Sequence, residues 1–226
     1  MNPVQEVEVT HKALVVLSGC GVFDGTEIHE AVVTLLALSR AGVDVQCAAP
    51  DRPQMHVINH LTGDVDATPR NVLVESARIA RGKVVALSDV AIDDYDALFF
   101  PGGFGAAKNL TTFAVDGADC QIDPAVSRVL RGFHGAGKPI CAVCIAPAVV
   151  AKALGSAGPE LTIGNDPGTA EGIAALGGKH IECPVEKCHV DPENRIVTAP
   201  AYMYDATIAD VAAGIEEAIQ ATLELL

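Results

Sequence analysis

The stretch Ala13 to Asp51, ALVVLSGCGVFDGTEIHEAVVTLLALSRAGVDVQCAAPD, decides the fold class. Ala13 to Leu17 form a short apolar run that stops at Ser18-Gly19-Cys20-Gly21, and from Glu27 apolar and polar residues recur at helical spacing as far as Ala41-Gly42. Val43 to Ala48 are a second apolar run, closed by Pro50-Asp51. Strand, glycine loop, helix and strand make a βαβ unit, which requires parallel strands joined by a right-handed crossover. The fold class expected is α/β, a three-layer αβα sandwich built on a flavodoxin-like, doubly wound and mostly parallel sheet.

The pattern continues outward from that unit. Asp51 to Asn71 is polar and proline-containing and reads as a long loop, and Val72 to Ala80 resumes helical spacing. Ala97 to Phe100 is an apolar strand stopping at Pro101-Gly102-Gly103, and Ile140 to Val143 is another, stopping at Cys144. Leu161–Gly164 and His180–Cys183 are short strand candidates around a helix near Thr169 to Leu176. His189–Asp191 and Arg195–Thr198 read as a small β-hairpin, and a last amphipathic helix covers about Ala206 to Leu225. No fixed-period repeat, low-complexity tract or linker interrupts the chain, so residues 1–226 are expected to form a single domain.

Composition narrows the function classes. Fifteen Lys and Arg against 29 Asp and Glu give a formal charge of -14, which repels phosphate backbones and anionic lipid surfaces. With no Trp and only 6 Phe and 3 Tyr to stack on bases, nucleic acid is not an expected partner. No apolar run reaches the roughly 18 residues of a membrane span, so no membrane is expected either. Seven cysteines, an odd count without the spacing of a disulfide-rich domain, suit a reducing compartment. Met1 to Lys12 carry no apolar core of a signal peptide and too many acids for a transit peptide. The expectation is cytoplasmic, with the mitochondrial matrix as the alternative should a presequence precede this sequence.

The chemistry concentrates at Lys138-Pro139-Ile140-Cys141-Ala142-Val143-Cys144-Ile145-Ala146-Pro147. A buried strand meets a helix there, with small residues two before and two after Cys144, the pattern of a nucleophile elbow whose tight turn tolerates only small neighbours. Alanines at 142 and 146 meet that requirement in place of the usual glycines, and the helix N-terminus should favour the thiolate. A buried structural cysteine is the bland alternative, but reactive groups in open α/β sheets gather outside the carboxyl ends of strands, where Cys144, Gly102 and Gly103 all lie. Gly102 and Gly103 expose backbone N–H groups that suit an oxyanion cradle together with the Ile145 amide, although glycine pairs after strands are also plain turns. Cys141 and Cys144 form one C-x-x-C. Structural zinc would need a second ligand pair, and Cys183-x4-Cys188 is a poor match, so no metal or other cofactor is expected. Residues three apart on a strand point to opposite faces, so the sheet should separate the two sulfurs.

Leu17 to Glu30, Val57 to His60, Arg70 to Leu73, Phe100 to Leu110 and Cys144 to Pro147 together resemble the ElbB glyoxalase-like family. That family is similar to the PfpI-like branch of the class I glutamine amidotransferase-like superfamily. The resemblance implies an αβα sandwich, a cysteine on the elbow, a homodimer, and a glutamate from the first helix hydrogen-bonded to the cysteine. Glu30 is the matching position and Glu27 lies one turn earlier; at that spacing either can reach the strand ends, and Glu27 also suits the helix dipole. Relatives often place a histidine after the next strand, whereas this chain has Gly164-Asn165-Asp166-Pro167 there. Without that imidazole, peptide hydrolysis and glutamine amidotransfer lose their usual base. Of His29, His56 and His60, which remain near the active edge, His60 is kept as a candidate site residue.

The resemblance implies a cofactor-free glyoxalase reaction on a small 2-oxoaldehyde, with glyoxal converted to glycolate through a hemithioacetal on Cys144. Gly103 and Ile145 would hold the oxyanion, and Glu30 or Glu27 would shuttle the proton. The alternative is a binding or regulatory module in which Cys144 senses oxidants or a metabolite and the Asp51–Asn71 loop covers the pocket.

Overall fold

The structure, a computed structural model, describes residues 11–226; the reading of a leader in the first ten residues lies outside them. Its first half runs β1 (Lys12–Val16), α1 (Ile28–Arg40), β2 (Asp44–Ala49), α2 (Val72–Ile79), β3 (Val84–Ala86), β4 (Ala97–Phe100) and a short α3 (Phe113–Asp116). The second half runs α4 (Pro124–Gly135), β5 (Ile140–Val143), α5 (Pro147–Leu154), β6 (Glu160–Leu161), α6 (Pro167–Ala175), β7 (Lys179–His180), β8 (His189–Asp191), β9 (Ile196–Ala199) and α7 (Ile208–Leu223).

Seven strands form one sheet in the order β3-β2-β1-β4-β5-β9-β8, parallel throughout except where β8 meets β9. The doubly wound α/β sandwich expected from the sequence is the observed architecture. Alternation along the strands fills two layers. Leu14, Leu98, Phe100 and Ile140 pack against Val126, Leu130 and Phe133 of α4 and the buried face of α5. Val15, Phe99, Val143 and Val197 pack against Ala31 and Leu38 of α1 and Val211 and Ile215 of α7. Strands covered on both faces need apolar residues at every position, which is why β1, β4 and β5 read as continuous runs.

The expected hairpin is present as β8 and β9; β9 also pairs in parallel with β5 and so extends the main sheet, with β8 as its antiparallel edge. Two other expectations are corrected. The short strands β6 and β7 pair only with each other and lie somewhat earlier than the apolar runs suggest. Cys141 and Cys144 are not separated by the sheet, since the sharp turn at Cys144 returns its side chain to the layer that Cys141 occupies. Both are free thiols. The sequence reading also passes over α4, although Asp123-Pro124 caps its start with two hydrogen bonds to the Ala125 and Val126 amides.

Candidate functional site

Cys144 sits between β5 and α5 with φ 60°, a left-handed conformation that is rare for a residue with a Cβ. The turn is held from both sides: the Cys144 amide donates to the Ala199 carbonyl at the end of β9 (2.9 Å), and the Ala146 amide donates to the Val143 carbonyl (3.0 Å). Ala142 and Ala146 are fully buried, which explains why only small side chains fit beside the elbow. Cys144 itself is 7% exposed, and its sulfur faces a cavity of about 350 Å³.

α1 brings Glu30 beneath that cysteine. The Glu30 carboxyl lies against the Cys144 side chain; its Oε2 accepts the Gly102 N–H (2.8 Å) and its Oε1 the Tyr202 N–H (3.4 Å). Complete burial and the neighbouring Glu27 charge push the Glu30 carboxyl up to about 8. Burial and Glu30 push the Cys144 thiol up as well, while the backbone N–H groups of Gly103 and Ile145, both facing the sulfur, pull it down. The expected free thiolate is therefore corrected: burial favours the neutral form of both groups, so at neutral pH the pair holds its protons. Cys141, buried near Thr222 and Cys188, has its thiol pushed up to about 12, an inert core cysteine.

The structure brings some of the expected site residues together and not others. Cys144, Gly103, Ile145 and Glu27 line the cavity, with Glu30 against the sulfur. Glu27 does not reach the cysteine: it is the N-cap of α1, its Oε2 accepting the Glu30 N–H at 2.7 Å. The Gly102 N–H is committed to Glu30, and the N–H groups that face the sulfur are those of Gly103 and Ile145. A Cβ on Gly102 would stand 2.5 Å from the Cys144 Cβ, so the close approach of β4 to the elbow requires glycine.

His60 is not in the site. Its ring stacks on Phe23 with centroids 4.9 Å apart, accepts the Phe23 N–H at Nε2 (3.2 Å), and lies where a Cβ on Gly21 would be. The 51–71 loop does not cover the cavity either, since none of its residues lines it. That loop is tied to the β1–α1 turn instead, with the Ile58 N–H donating to Asp24 Oδ2 (2.7 Å).

A model of the DJ-1/PfpI family matches residues 11–200 of this chain. The chain belongs to the DJ-1/PfpI family. It is 51% identical over 224 residues to the human glutamine amidotransferase-like class 1 domain-containing protein 3, mitochondrial, covering 95% of this chain and 83% of that one. The zebrafish ES1 protein, mitochondrial, is 36% identical over 84% of this chain and 76% of its own length. Among solved structures, an isoprenoid biosynthesis protein with amidotransferase-like domain from Ehrlichia chaffeensis superposes with TM-score 0.89 at 39% identity, over 95% of this chain and 99% of that one. The resemblance drawn from the sequence motifs agrees with these matches. Glyoxalase III from Candida albicans shares the fold, with TM-score 0.62 at 17% identity over 94% of this chain and 97% of that one.

In this DJ-1/PfpI chain the sequence reading missed several cavity residues. Tyr202 follows β9, where Ala201 takes φ 46° and turns the Tyr202 amide toward Glu30. The Tyr202 hydroxyl is 2.9 Å from Nδ1 of His29, which places an imidazole at the cavity edge although none follows β6. Asp166 and Thr169, at the start of α6, line the far side, and Val22, Phe104 and Met203 supply apolar walls. Ala201 offers no local signal, because left-handed alanine is invisible to propensity. Among the described residues no group of three or more His, Cys, Asp or Glu is placed to hold a metal ion.

Proposed function

We propose that the chain is a cofactor-independent glyoxalase-type enzyme acting on a small 2-oxoaldehyde, with glyoxal to glycolate as its simplest case. The observation that carries this reading is the buried Glu30 carboxyl set against Cys144, with the Gly103 and Ile145 N–H groups facing the same sulfur at the floor of an open cavity. A sulfur nucleophile, a neighbouring proton carrier and two amide donors are what addition to an aldehyde and a following proton shift require.

In the proposed sequence the Cys144 sulfur bonds to the aldehyde carbon as its proton passes to Glu30, and the oxygen that gains the electron pair is held by the two amides. Glu30 passes the proton on to that oxygen, which gives a hemithioacetal and restores the carboxylate. The Glu30 carboxylate then takes the C–H proton of the former aldehyde carbon and returns it to the adjacent carbonyl carbon, while the hemithioacetal hydroxyl gives its proton to the oxygen on that carbon, leaving a thioester of the hydroxy acid. Water cleaves the thioester, releasing the acid and regenerating the thiol. The net change is addition of one water to the dialdehyde.

The test is glyoxal consumption with glycolate detection under reducing conditions without added metal, on wild type, Cys144→Ala and Glu30→Gln. Turnover on the order of 1 s⁻¹ is expected for the wild type. Cys144→Ala is expected to abolish it, and Glu30→Gln to lower it by about 10²-fold or more because the proton shift loses its carrier. Turnover that survives Cys144→Ala sinks the proposal. The named relatives are mitochondrial proteins, which supports the matrix alternative for this chain. Among the described residues no helix is long and apolar enough to cross a membrane.

A further inference from the structure

The cavity in front of Cys144 is uneven in charge. Val22, Phe104, Ile145 and Met203 make its walls apolar, Glu27 and Asp166 put carboxylates on it, and among the described residues no lysine or arginine lines it. Glu27 is 8% exposed; its Oε2 is used by the α1 cap, whereas Oε1 has no hydrogen-bond donor among the described residues and stands 4.0 Å from His29 Nδ1. Asp166 accepts the Thr169 N–H (2.7 Å), and its hydrogen bonds with Thr169 hold its carboxyl below the usual range. Lys108 offers no compensation: its ammonium donates to the Phe23 carbonyl (2.9 Å), lies 5.2 Å from the Phe104 ring centroid, and lines the neighbouring cleft of Phe23, Ile58 and Gly63.

We propose that this cavity selects by charge, admitting uncharged and cationic carbonyl compounds and excluding those that carry a carboxylate or a phosphate. The inference rests on the reading of Cys144 as the nucleophile and extends it to the class of substrate. A cleft of one sign with low-dielectric walls concentrates the opposite sign and repels its own. The same charges also act on the product, because the proposed reaction turns a neutral aldehyde into a carboxylate inside an acidic cavity and so favours its departure.

The test reads access to Cys144 without requiring turnover. Three methanethiosulfonate reagents of similar size, with ammonium, uncharged and sulfonate tails, are reacted with the full chain. In each case the cysteine sulfur displaces methanesulfinate and keeps the tail as a mixed disulfide. Adducts are followed by mass spectrometry on the Cys144 peptide, and each rate is divided by that for a free small thiol. The ammonium reagent is expected to outpace the sulfonate one by on the order of tenfold or more at low salt, with the uncharged reagent between them. That ratio is expected to fall severalfold in Glu27→Gln, in Asp166→Asn, and in about 1 M salt. Both substitutions keep an oxygen for the helix cap, and unchanged thermal unfolding would verify that the fold is intact.

Equal normalised rates for the three reagents, a ratio unchanged in both variants, or no Cys144 adduct with any reagent would each overturn the inference. Charge order without dialdehyde turnover would leave charge selection standing and remove the glyoxalase reading. Turnover without charge order would do the reverse.

Discussion

Glu30 is the residue on which the chemistry and the stability of this chain meet. Its carboxyl is raised from 4.5 to about 8, chiefly by burial, so the folded chain holds a proton there that the unfolded chain releases once the pH exceeds 4.5. The sign follows directly: full stability is present below 4.5, is lost progressively as the pH rises to about 8, and changes no further above it. Glu30→Gln keeps the shape and the acceptor for the Gly102 N–H but cannot ionise. Thermal unfolding between pH 5 and pH 8 is therefore expected to show a shallower fall for the variant, and a higher melting temperature at the alkaline end. A slope equal to that of the wild type would mean that Glu30 does not carry the shared proton. Activity should run the opposite way: the form that can accept the thiol proton is populated as Glu30 ionises, so kcat/KM for glyoxal is expected to rise with pH through about 8.

At the scale of elements, the site is a junction of three strand ends and the first turn of α1. β4 approaches the elbow closely enough that a Cβ on Gly102 would meet Glu30 Oε2 at 2.8 Å as well as the Cys144 Cβ. Gly102→Ala is expected to displace the sulfur from its two amides and to cost about 10²-fold in glyoxal turnover, because misplacement by about an ångström is enough. The β1–α1 turn that forms one wall is pinned by Asn109, whose Nδ2 donates to the Ser18 and Asp24 carbonyls (2.8 Å each) and whose Oδ1 accepts the Met55 N–H (2.9 Å). Asn109→Ala strands these buried groups and should destabilise the chain by about 3 kcal/mol, read from the denaturant midpoint. A shift within a few tenths of a kcal/mol would show that water replaces the amide.

At the scale of the molecule, the exposed face of α1 bears on association. The resemblance implies a homodimer, and the solvent side of α1 supports that proposal: Ile28 (44%), Val32 (50%) and Leu36 (43%) stand exposed at four-residue spacing. Sedimentation is expected to give twice the 23.3 kDa of the chain, and Val32→Glu to return it to the single mass. A monomeric wild type would leave that row of aliphatic residues without a second copy.

Much of this protein was legible along the chain. Apolar runs that stop at glycine announced the parallel sheet, because strands buried on both faces must be apolar throughout and each must turn sharply into its helix. Small residues around Cys144 announced the elbow, because a left-handed cysteine leaves no room beside it. Local order could not decide which glutamate meets the sulfur, where His60 goes, or that Tyr202 and Asp166 face the same cavity. Glu27 and Glu30 share a helix face, and only the position of α1 against β4 and β9 put one carboxyl on the cysteine and the other on its own helix end. The charge of the cavity likewise comes from residues more than a hundred positions apart, and was settled only when the sheet brought its strand ends together.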